Sequence, residues 1–135
     1  MRQVFNSRYF HRLLVVAASL FATVGLADID LSDFDDDLMR SMDDSIKSFE
    51  PNIASKNAAR AMDDARILWD GLKWTEEYFE KKGGAADAVT ISKQALEYTG
   101  AVMKYLEAND FENAATAARS AAKTCRTCHD IYKSS

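Results

Sequence analysis

The sequence predicts an all-α protein, an antiparallel up-down-up-down four-helix bundle. Three observations predict it. Apolar residues recur at intervals of three and four, and no run alternates with a period of two over a useful length. Behind the N-terminal segment there is one proline, Pro51, and the glycines are few and separated. The breaks leave only short connections, which make consecutive helices antiparallel neighbours.

The N-terminus reads as a signal peptide over residues 1–27. Met1 to Arg12 carries Arg2, Arg8 and Arg12 with no acid, and Leu13 to Leu26 is an apolar run of 14 residues. Gly25 and Ala27 are the small residues wanted at −3 and −1 of a cleavage site. An uncleaved membrane anchor is the alternative, but a spanning helix needs ~20 apolar residues. Cleavage after Ala27 leaves residues 28–135, a single domain of 108 residues, enough for one core but not two.

The first helix is expected over Asp33–Phe49. Ser32 is its candidate N-cap, and Asp33, Asp35, Asp36 and Asp37 suit the positive end of the helix dipole. Leu31, Phe34, Leu38, Met42, Ile46 and Phe49 form its apolar stripe, with Met39 on the flank. Pro51 disfavours helix at Glu50 and closes the element.

The second helix is expected over Asn52–Lys81. Ala58, Ala61, Met62, Ala65, Leu68, Trp69, Leu72 and Phe79 form its stripe, and Ile67, Trp74 and Tyr78 a second face. So wide an arc implies more than one neighbour, either a further helix of the bundle or a homodimer partner. Gly71 marks close packing or a bend, and Gly83-Gly84 ends the helix. The third helix is expected over Ala88–Ala108 with Asp87 as N-cap. Asn109 suits a C-terminal cap and Asp110 the next N-cap, so the turn is short.

The fourth helix is expected over Phe111–Lys133. Its inward residues are mostly Ala, too small to fill a bundle core alone. It also carries Cys125-Arg126-Thr127-Cys128-His129. This reads C-x-x-C-H, the attachment signature of a c-type haem. Two thiols that add across two vinyl groups of one porphyrin must reach one edge together, and the imidazole must reach the iron from one face. Helix positions i, i+3 and i+4 share a side, which meets both needs.

Other readings of the pair are a redox couple, half a zinc site or a structural disulfide. The redox couple belongs beside a βαβ pattern and opens a helix, which this pair does not. A structural zinc needs four Cys or His ligands. The chain has two Cys and two His, and His11 lies in the segment expected to be removed. A disulfide is natural in an oxidising compartment. Export also suits haem, because occupation protects both sulfurs. A porphyrin against the alanine face would supply the missing volume; Trp69, Trp74 and the Phe residues reaching across are the other way to fill it.

With the motif on the last of four helices behind a signal peptide, the chain resembles the class II c-type cytochromes, the cytochrome c′ and cytochrome c-556 family. Leu38-Met39-Arg40 is similar to the Leu-Met-Lys of the low-spin c-556 branch, where the Met sulfur binds iron opposite the His. The resemblance covers the mature chain in architecture and the two end helices in motif. Many members have a long connection between the second and third helices, with a Trp against the haem. Here only Lys82 to Asp87 are available, so the resemblance assigns no role to Trp69 or Trp74.

The resemblance implies one covalent haem c, tethered by Cys125 and Cys128 near the C-terminal helix. Once His11 is removed, His129 is the only histidine, which excludes bis-histidine ligation within one chain. His129 is the expected proximal ligand. Met39 is the expected distal ligand, Met42 the first substitute, and Met62 and Met103 the remaining candidates. Lys123, Arg126 and Lys133 read as solvated charges rather than propionate partners.

Met/His ligation is the pattern of electron carriers, since the thioether favours Fe(II). The expectation is a periplasmic one-electron carrier, not an enzyme. If Met39 stays off the iron, the site is five-coordinate and binds nitric oxide or carbon monoxide. A third expectation is a non-haem helical interaction protein with bridged cysteines. Removing three Arg from 17 basic residues leaves 14 against 21 acids, a net charge of −7. That argues against nucleic acid and anionic lipid as partners and permits a basic redox partner protein.

Overall fold

The computed structural model describes residues 29–133, so the expected signal peptide and His11 lie outside the described residues. Within them the chain forms four helices: α1 Asp36–Ala54, α2 Ala58–Lys82, α3 Ala86–Glu107 and α4 Phe111–Tyr132. No described residue is in a strand, and none of these four helices is long and apolar enough to cross a membrane. Each helix packs on its chain neighbours, and α1 closes the ring against α4 along the loosest of the four seams. The result is an antiparallel four-helix bundle.

The starts of α1, α2 and α3 differ from expectation. α1 begins at Asp36, not Asp33, and its N-cap is Asp35 rather than Ser32. The Asp35 carboxylate accepts the N–H groups of Asp37 at 3.0 Å and Leu38 at 2.9 Å. Phe34 is turned out of the helix to meet Trp74, Tyr78 and Phe79 with ring centroids at 4.9, 4.8 and 6.1 Å. α3 begins at Ala86 with Ala85 at the N-cap position, so Asp87 is not the cap but sits in the first turn.

Pro51 does not close α1, which runs on to Ala54. Pro51 costs the helix its own N–H bond and a clash with the preceding turn, about 3 kcal/mol in an interior position. Continuing the helix buries Ile53 to 1% exposure beside Phe49 at 0%. Full burial of such a side chain contributes ~1.5–3 kcal/mol, which offsets most of that cost. The second helix accordingly starts at Ala58, capped by Asn57, whose side chain accepts the Arg60 N–H at 3.2 Å.

The first and third connections use one device. Lys56 N–H donates to Ile53 C=O at 2.9 Å and Asn57 N–H to Asn52 C=O at 2.9 Å. Asn109 N–H donates to Leu106 C=O at 3.0 Å and Asp110 N–H to Tyr105 C=O at 2.8 Å. Both are Schellman closures with a left-handed residue, Lys56 and Asn109 each at φ 56°. Asn57 and Asp110, the residues that complete each closure, also cap the next helix. The second connection instead turns on Gly83 at φ 72° and Gly84 at φ 75°.

The core has two parts. The larger holds Met42, Phe49, Ile53, Leu68, Leu72, Val102 and Leu106 with the alanines of α2 and α4. The smaller gathers Phe79, Ala85 and Ala88 with Phe34, Tyr78 and Tyr132 at the opposite end. Gly71 marks close packing: a Cβ there would lie 2.4 Å from Met42 Sδ.

Lys56 has a Cβ where the closure favours glycine. Lys56→Gly is expected to raise the unfolding free energy by roughly 0.5–1 kcal/mol, the left-handed strain relieved less the freedom gained by the unfolded chain. The urea midpoint should rise with an unchanged slope.

Candidate functional site

A cavity of about 810 Å³ lies between the two parts of the core, along the α1–α4 seam. Two facing helical stripes with the same spacing form its walls. On α4 they are Cys125, Cys128, His129 and Tyr132; on α1 they are Met39, Met42, Asp43 and Ile46. Both sets repeat at three and four, so each is one face of its helix. Leu68, Leu72, Thr75 and Phe79 of α2 and Ile91, Ser92 and Ala95 of α3 form the floor. The segment from Ile29 to Phe34 runs along the side as a strap.

The three members of the C-x-x-C-H motif thus share one cavity. Both cysteines are free thiols and half-buried. Burial pushes each thiol up to about 11, helped by the field of Asp43 at Cys125 and by Cys125 at Cys128. Of the four methionines behind the expected signal peptide, Met39 and Met42 face the cavity. Met62 and Met103 pack against the larger core instead. Met42 is buried over Gly71, while Met39 is half-buried nearer the strap. Lys133 stands at the rim, and Lys123 and Arg126 are exposed and do not line the cavity.

Neither tryptophan fills the space beside the α4 face. Trp69 lies over Gly100 on the α2–α3 seam, where a Cβ would come 2.8 Å from its ring. Trp74 stacks on Tyr78 with centroids at 5.3 Å and stays 36% exposed. Phe34 and Phe79 do line the cavity.

Two hydroxyl groups of the lining are turned back on their own helices, and that of Tyr132 donates to Asp87 on α3. Thr75 donates to Gly71 C=O at 2.8 Å and Thr124 to Ser120 C=O at 2.9 Å. Among the described residues no buried side-chain N or O atom lacks a partner. The walls present carbon and sulfur with one imidazole, and Asp30, Asp36, Asp43 and Lys133 also line the cavity. No group of three or more His, Cys, Asp or Glu is placed among the described residues to hold a metal ion.

The strap is latched. Tyr78 Oη donates to Asp33 Oδ1 at 2.6 Å, and Lys82 Nζ pairs with the same oxygen at 2.5 Å. The Lys82 hydrogen bond, with that of Tyr78, holds the Asp33 carboxyl below its ordinary value. The same Asp33 bond raises the Lys82 ammonium to about 12. Reading the sequence alone placed Asp33 and Phe34 inside a helix and missed the strap. The signal available was Asp30-Leu31-Ser32, where the Asp30 side chain accepts the Ser32 N–H at 2.9 Å in an Asx turn. Ala117 and Thr124 are also buried on α4.

The chain matches no described protein family, no curated protein and no solved structure.

Thiols raised from 9.0 to about 11 have roughly 100-fold less thiolate at pH 8. Alkylation of Cys125 and Cys128 by iodoacetamide in the haem-free chain should be about 100-fold slower folded than in urea. The latch has its own pH window. Asp33 is depressed below 3.8, so its contribution is present above that value and lost as pH falls through the folded value. Lys82 is raised from 10.5 to about 12, so its contribution is present below 10.5 and lost as pH rises towards 12. In a Trp69→Phe background, Trp74 emission should be constant inside that window and shift to the red on either side. Lys82→Met should produce the shift at pH 7.

Proposed function

We propose that the chain is an exported monohaem c-type cytochrome that carries single electrons in the periplasm, with the iron held between His129 and Met39. One observation carries the reading: both sulfurs of the C-x-x-C pair and the following imidazole line the same cavity as a methionine on the facing helix. The resemblance to class II c-type cytochromes noted in the sequence points the same way.

The cavity suits the group. Its volume of about 810 Å³ falls within the ~300–1,000 Å³ of pockets for ligands of drug size. Cys125 and Cys128 are unpaired and face it one helical turn apart, as two tethers to one planar edge must. Leu68, Leu72, Ile46 and Phe79 offer apolar surface to a macrocycle and keep water away.

The haem, when bound, supplies the one-electron iron couple. The chain's own residues do the rest. Cys125 and Cys128 would hold the group by thioether bonds, and His129 would supply a nitrogen donor from the same helix. Met39 supplies a soft sulfur from α1, which favours the reduced metal and raises the potential. Donors from two packed helices need little rearrangement between oxidation states. With His129 and Met39 both given to the metal, no site on it would be left for a substrate, and the protein would act as a carrier rather than an enzyme. An acidic surface suits docking to a basic redox partner.

The apolar wall of Ile46, Leu68 and Leu72 supports a second reading. With Met39 off the iron, that wall would favour small neutral gases, and the protein would bind nitric oxide or carbon monoxide.

Protein purified from a host that matures c-type cytochromes should keep one haem mass after denaturation. Its reduced spectrum should be low-spin. Met39→Ala should turn it high-spin, while Met42→Ala should leave it low-spin. A colourless protein of polypeptide mass sinks the haem reading; a high-spin parent favours the gas binder.

A further inference from the structure

We propose that Tyr132 is the positioning residue for His129, holding the last turn of α4 through Asp87 and Phe79. The proposal rests on His129 being the iron ligand and adds what keeps its imidazole in one direction.

His129 sits in the last turn of α4, and such turns fray because their carbonyl groups lack partners. The final backbone bond there is Lys133 N–H to His129 C=O at 2.9 Å. Asp130 and Ile131 are exposed and add nothing to hold the turn. Tyr132 does hold it, at both ends of its ring. Its hydroxyl donates to Asp87 Oδ1 on α3. Its ring packs on buried Phe79 of α2, centroids 5.2 Å apart. Among the described residues no other side chain of that turn hydrogen-bonds to another helix. Asp87 is itself fixed in the first turn of α3, where the helix dipole favours its charge. His129 is three residues before Tyr132 on the same face, and both line the cavity. A tie to two other helices therefore restrains the backbone from which the imidazole projects, as outer partners of metal ligands do elsewhere.

The test compares parent holoprotein with Tyr132→Phe, Asp87→Ala and the double variant. Amide hydrogen exchange of residues 130–133 should quicken roughly 10-fold in each, the cost of one hydrogen bond to a charged group. The double variant should match the singles, and the amides of Leu68 and Val102 should stay unchanged. The hyperfine-shifted resonances of the His129 imidazole in the oxidised protein should move in all three. Unchanged exchange at residues 130–133 overturns the proposal. So does faster exchange throughout the core with unmoved imidazole resonances, which marks a merely structural tie. A parent without covalent haem overturns the haem reading and the proposal with it. A parent with haem but unmoved resonances overturns the proposal alone.

Discussion

A helix faced with alanine lets its neighbours come close; the same helix faced with larger polarisable groups holds them apart. α4 does both. Ala114, Ala117, Ala118 and Ala121 are buried in the half where the bundle is tight. One turn on, the face becomes Cys125, Cys128, His129 and Tyr132, and the seam to α1 carries the cavity. The tight half depends on Phe49, Ile53, Leu68 and Val102 to supply the bulk that alanine lacks. In the open half Leu68, Leu72, Phe79 and Ile91 line the floor and Phe34 the side, with the cavity left between them and the α1–α4 seam. The division of the core into two parts follows from that one change of side-chain size along a single helix.

The helix count, the order of the elements and the members of the C-x-x-C-H face were legible from period and motif. Gly71 reads as a mark of close packing or a bend, and it is the packing that holds, with Met42 the neighbour its Cβ would meet. What could not be read were choices settled by distant residues. Pro51 argues locally for a break, and the buried place of Ile53 overrules it. Asp33 and Phe34 look like a helix start until the pocket of Trp74, Tyr78 and Phe79, some forty residues away, draws them out. Asp87 looks like a cap until Tyr132 claims its carboxylate. Local propensities are worth a kcal/mol or so each, and an aromatic cluster or a buried side chain outweighs them.

Met39 reads from the sequence as a flank residue of the α1 stripe and Met42 as a member of it, and the two also pack differently. Met42 has a second employment: its thioether is packed into the dent left by Gly71. Met39 has no such seat and stands nearer the strap, which makes it the freer of the two sulfurs.

The three connections divide the molecule unevenly. Two are closed turns in which a single residue finishes one helix and starts the next, joining α1 to α2 and α3 to α4. The second connection, between α2 and α3, instead turns on two consecutive glycines. The α1–α4 seam has no connection of its own and is the loosest of the four. A guest bonded to α4 and gripped by α1 would fasten that seam, and the bundle would then owe its closed shape to its cargo as much as to its core.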